Sequence, residues 1–132
     1  AKDELSGNLD RVQMIKGWLD AAGTRHEKVH DIAWSGNRRP DAQGRLPAVG
    51  NTVDVKTATY RNEIGAAQLA TVWTDPDFDP KLRAFYYVRV LEIPTPRHSL
   101  YDAVALGIDP AQTKAPTTLQ ERAWSSPIWY TP

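Results

Sequence analysis

A chain of 132 residues that is 41% hydrophobic and 24% charged has the composition of one folded domain, far from the polar, highly charged corner where chains stay disordered. Its 16 basic and 16 acidic residues balance, so no overall field draws in nucleic acid or an anionic membrane, and no apolar run approaches the ~18 residues of a membrane span. The absence of cysteine removes disulfides, thiolate metal sites and cysteine nucleophiles, and leaves the redox compartment open.

The first residues, "AKDELSGNLD", have neither the basic nor the apolar part of a signal peptide. With no methionine in front of Ala1, they read as entry from a preceding region of a longer protein. "RVQMIKGWLD" then alternates with period two, placing Val12, Met14 and Trp18 on one side and Ile15 and Leu19 on the other. The small residues and Gly23 of "AAGT" suit a tight reversal, so 11–20 and 25–34 are expected to form a hairpin.

From Ser35 to Asn51 the sequence is rich in Gly, Pro, Asn and Arg and lacks a period that would bury a face, which predicts a long surface loop. "TVDVKTATY", from Thr52, predicts an edge strand with one face in water. "AAQLATVWT" predicts a further strand. "RAFYYVRVLEI" is apolar on both faces, as in a central strand. In "TPRHSLYDAVALGIDP" Ser99 is expected to cap a helix, Asp102 to close a capping box, and Gly107 with Pro110 to stop it. A second loop leads to strands near 119–124 and 127–130, with Pro127 at a bulge or strand start. The sum is an all-β chain, an antiparallel β-sandwich of about six or seven strands with one short helix and two long loops, or a partly open barrel.

Candidate chemistry is sparse. "WTDPDFDP" sets Asp75, Asp77 and Asp79 at alternate positions, as in a calcium loop. Aligned from Asp75, however, the glycine position holds Pro80 and the closing carboxylate position holds Tyr86. Pro76 and Pro80 push the aspartates before them into extended, turn-forming conformations, so a rigid turn is expected. His26 and His30, four apart in a strand, stand too far from each other to share an ion, and His98 is alone. No serine has a nucleophile context and no glycine run makes a phosphate loop.

Arg89 interrupts an apolar strand and requires a partner, for which Glu92, Glu121 and Asp54 are candidates. Arg97 sits at a rigid turn, free to contact a ligand or neighbouring domain. Five tryptophans suit either a core or a sugar-binding platform. Trp18, Trp73 and Trp124 fall in alternating strands, whereas Trp34 and Trp129 lie near strand ends where exposure is expected.

Three stretches, "SGNLDRVQMIKGWLD", "TVWTDPDFDPKLRAFYYVRVLEIPTPR" and "LQERAWSSPIWYTP", together resemble one family, the domain of unknown function numbered 3604. Its full-length members look like metal-dependent phosphoesterases of the polymerase-and-histidinol-phosphatase (PHP) superfamily. The resemblance implies that this chain is the β-rich C-terminal region following a barrel that holds a divalent metal such as zinc or manganese. It assigns no catalytic residue and no cofactor to this segment, because no residue here matches a PHP ligand motif. The implied partner is that upstream barrel, with a second copy of the chain also open and a periplasmic or extracellular location favoured. Arg89 and Arg97 are the expected interdomain or ligand contacts. The rival expectation is a secreted carbohydrate- or ligand-binding β-sandwich module.

Overall fold

The computed structural model describes residues 1–132. Its frame is one antiparallel sheet. Strand β1, Leu9–Leu19, pairs on one side with β2, Arg25–Trp34, and on the other with β3, Ala84–Pro96. The far edge of β3 is shared by β4, Thr118–Trp124, along its later half, and by β5, Ile128–Tyr130, along its start. The hairpin, the central position of "RAFYYVRVLEI" and the two closing strands therefore form where the alternation expects them. In the hairpin turn, Asp20 Oδ1 accepts the amides of Ala22 and Thr24, and Gly23 supplies a positive φ of 80°.

The all-β antiparallel class and its one helix stand, but the five strands lie in one sheet. Two stretches expected as strands form no ladder. In the first, Asp54 Oδ1 accepts the amide of Lys56 and Ala58 takes a left-handed φ of 51°, so Thr52–Tyr60 folds on itself through the single Asp54–Thr59 bridge. In the second, only Ala66 pairs, with Leu9. Gly65 permits that approach: at its φ of +79° a Cβ would stand 2.6 Å from Asn8 Cβ, a position open to glycine alone. The rest of that second stretch becomes a strap over one sheet face.

Helix α1, His98–Leu106, starts two residues ahead of expectation. Its N-cap is Arg97, without a side-chain cap bond. The predicted capping box does not form, because the Asp102 carboxylate instead lies 3.0 Å from His98 Nδ1, one turn back. The stop is as expected, with Gly107 in the left-handed conformation and its amide bonded to the last carbonyls, as a C-cap glycine does. Leu100 and Ala103 face inward and are buried. A 3₁₀ turn, Pro110–Thr113, follows.

Bulges aim polar groups inward. Register slips between Leu9 and Arg11 against β3, leaving Asp10 as the extra residue, as bulges do. A second slip, between Leu91 and Pro94 against β4, accommodates Pro94, which has no amide to offer the ladder. Burial is thin: only 15 of 132 residues are buried. The accessible surface is 8930 Å², whereas a compact 14.8 kDa monomer exposes about 7,000 Å².

Candidate functional site

The two sheet faces differ. On the first, cross-strand register groups Met14, Lys16 and Trp18 of β1 with His30, Lys28 and His26 of β2 and with Val88, Tyr86 and Ala84 of β3. A lysine in that setting needs a counter-charge, and the strap carrying "WTDPDFDP" supplies one. Lys16 Nζ lies 2.6 Å from Asp75 Oδ2, with the two side chains only 5% and 7% exposed. Lys16 also donates to the Asp77 carbonyl at 2.7 Å. The Tyr86 hydroxyl donates to Asp75 Oδ2 at 2.7 Å, and Lys28 pairs with Asp77 at the rim. Trp73 seats against His30 and Tyr86, with ring centroids at 5.1 and 6.4 Å.

Asp75 Oδ1 accepts the Asp77 amide and Asp79 Oδ1 accepts the Lys81 amide, both at 2.9 Å. These are two successive Asx turns around Pro76 and Pro80. The three carboxylates therefore do not converge on one point. What does converge is His30 with Asp75 and Asp77, whose candidate ligand atoms lie within 4.8 Å of one another. A divalent ion there would have to displace both ammonium groups, since each carboxylate already holds a lysine. The arrangement is a charge-balanced clamp that fastens the strap to the sheet.

Its protonation states follow from that geometry. Burial pushes the Asp75 pKa upward, but hydrogen bonds from Lys16, Tyr86 and the Asp77 amide outweigh it and hold the group below its ordinary value. Burial and the bond to Asp75 push Tyr86 up. Burial, reinforced by nearby Lys28, lowers His30 and keeps it neutral near pH 7. Sequence reasoning missed this clamp. The available signal was Lys16, an ammonium between Met14 and Trp18 on an otherwise apolar side.

A second polar assembly gathers at the β1 bulge. Arg89 does not pair with Glu92, Glu121 or Asp54, as expected from sequence; its Nε donates to Gln13 Oε1 at 2.8 Å. Gln13 in turn donates to Asp31 at 2.7 Å, which Arg11 bridges to buried Asp10. Arg38 lies 2.7 Å from Asp10 Oδ1 and donates to the Pro47 carbonyl. The start of the 35–51 loop is thus pinned to the sheet. Gln120 of β4 closes the assembly on Asp10 Oδ2 at 2.9 Å. A cross-strand amide had replaced the expected carboxylate because Gln13 stands directly opposite Arg89 in the register.

The other sheet face has no strap. Register places Ile15, Gly17 and Leu19 with Val29, Glu27 and Arg25 on one side and with Tyr87 and Phe85 on the other. Phe85 lies across Gly17, where a Cβ would meet the ring at 2.3 Å, and packs against Tyr87 and Trp129. Trp124 stands beside Arg89. Trp124 is 59% and Trp129 72% exposed, which corrects the core assignment of Trp124 and agrees with the exposure expected of Trp129. Trp34 is instead half-buried, its indole donating to the Arg38 carbonyl. Where this face meets the strand ends, a cleft of about 660 Å³ opens over Gly17, Phe85 and Trp129, with Arg25, Glu27 and Arg83 among its walls. Arg97 is exposed at the opposite end, beside the helix start.

One open, aromatic-rich sheet face and one strapped face define a β-rich domain. The chain belongs to the family described as Protein of unknown function (DUF3604), whose model matches residues 1–132. No curated protein and no solved structure matches it.

Proposed function

We propose that this chain is a non-catalytic accessory β-domain, the C-terminal part of a PHP-like metal-dependent phosphoesterase, and that its open sheet face packs against the upstream barrel carrying the divalent metal. The observation that carries the reading is the surplus of exposed surface on a chain with an unstrapped sheet face. About 1,900 Å² lies beyond what a compact monomer of this mass exposes, and a stable interface takes roughly 800 Å² from each partner. Val29, Phe85, Tyr87, Trp124 and Trp129 form an apolar patch of the kind that marks an interaction surface. Arg89, with only its Nε engaged, adds a charged anchor at the edge of the patch, the role arginine often fills at interfaces.

In this reading the domain shapes or braces the active site and contributes no reacting group. The isolated chain, freed of contaminating phosphatases and supplied with manganese or zinc, is expected to leave a chromogenic phosphoester intact. Turnover would overturn the reading. The exposure of Trp124 and Trp129 favours one rival, a carbohydrate-binding module with ring platforms. Glycan-array binding that is lost on replacing Trp129 by alanine would put that rival ahead.

A further inference from the structure

We infer that the partner covering the open sheet face presents an acidic surface around an apolar centre. The inference rests on the covering reading above and adds the partner's chemistry. The face carries Arg25 on β2, Arg89 on β3 and Arg122 on β4 by register, and Arg83 lines its cleft. No carboxylate pairs with any of the four. Against them stands Glu27 alone, since Arg11 and Asp31 neutralise each other. A chain with no net charge therefore concentrates unpaired guanidinium groups around one apolar surface.

Arginine is the cation suited to such a place, because it is weakly hydrated and meets carboxylates with a planar fork. If the face closed on a neutral or basic surface, guanidinium groups would be buried without a partner, at a cost that disfavours the complex. Matching carboxylates on the partner remove that cost and select its orientation. The alternative occupant for arginines beside aromatic rings is single-stranded nucleic acid stacked on the sheet. The face argues against it: Leu19 and Val29 add exposed aliphatic surface beside the rings, and Glu27 stands in the cleft wall where a phosphate would run.

The test titrates the full chain with three probes and reads the indole N–H signals of Trp124 and Trp129 by NMR. The probes are acetyl-Glu-Phe-Leu-Asp-amide, its counterpart acetyl-Lys-Phe-Leu-Lys-amide, and a uridine octanucleotide. The acidic peptide is expected to bind at least about fivefold more tightly than the basic one, the scale of two exposed ion pairs. That preference should vanish in the double variant Arg25→Glu, Arg122→Glu. Both side chains are exposed and make no hydrogen bond, so the variant keeps its fold, checked by far-ultraviolet circular dichroism. Equal binding of the two peptides would leave the covering reading standing and overturn the acidic partner. Tighter binding of the octanucleotide would overturn it in favour of nucleic acid. Indole signals unmoved by every probe would remove both the acidic partner and the covering reading.

Discussion

Replacing Asp75 by asparagine tests whether the strap is held by charge. The Asp75 carboxylate and Lys16 ammonium are 2.6 Å apart and almost fully shielded from water. The substitution keeps the side chain's size, removes the charge and turns one of two engaged acceptor oxygens into an amide donor, so the ammonium loses its counter-charge and keeps the Asp77 carbonyl. Breaking a buried pair by removing one partner costs about 3–5 kcal/mol, a large share of the roughly 5–15 kcal/mol by which a domain is stable. With a urea slope of about 1.5 kcal/mol per molar, the midpoint should fall by roughly 2–3 M. Urea titration followed by tryptophan fluorescence reads this directly, because Trp18 and Trp73 flank the clamp. The double variant Lys16→Met, Asp75→Leu should recover most of the loss, since an apolar pair of similar volume leaves no orphaned charge. A loss below about 1 kcal/mol for Asp75→Asn, or a double variant no better than the single one, would refute the reasoning.

Gly17→Ala drives a Cβ into the Phe85 ring and should cost about 1–3 kcal/mol by overpacking, measured by the same titration. Trp129→Ala, at a side chain 72% exposed, should leave stability nearly unchanged while weakening the binding of any partner to the open face. Stability should also fall with pH in two steps. His30 has a folded pKa below its ordinary 6.5, so the unfolded chain binds its proton first and stability declines as pH drops from 6.5 toward the folded value. Asp75, lowered from 3.8, contributes stability that is complete above its unfolded pKa and is lost as pH falls through its folded one. His30→Gln should erase the upper step alone, as read from urea midpoints across the pH range.

Three strands were legible in the sequence by different signals: β1 by apolar side chains that recur with the pleat, β3 by an apolar run on both faces, and β2 by the tight reversal at Gly23 that precedes it. "TVDVKTATY" shows the limit of that signal. Its alternation is formally that of a strand, but Asp54 makes a local turn with Lys56, and no neighbour offers a ladder. The two prolines of "WTDPDFDP" revealed a connector, whereas the destination of its carboxylates was hidden, because Lys16 and Lys28 lie about 50 to 60 residues away in sequence and only the register of β1 with β2 brings them together. Arg89 shows the same dependence. Its need for a partner was legible, and the partner was set by cross-strand pairing with Gln13. The apolar residues of the open face were visible as alternation, but alternation alone does not say whether a face is covered by its own chain.

That this sheet face is covered in the native assembly is decided by hydroxyl-radical footprinting of Tyr87, Trp124 and Trp129 in the isolated chain and in the proposed longer protein that joins it to the upstream barrel. The account predicts that Trp124 and Trp129, both largely exposed in the isolated chain, are oxidised readily there and strongly protected in the intact protein, with exposed Tyr101 of the helix as the unchanged reference. Equal oxidation of both tryptophans in the two preparations would contradict it.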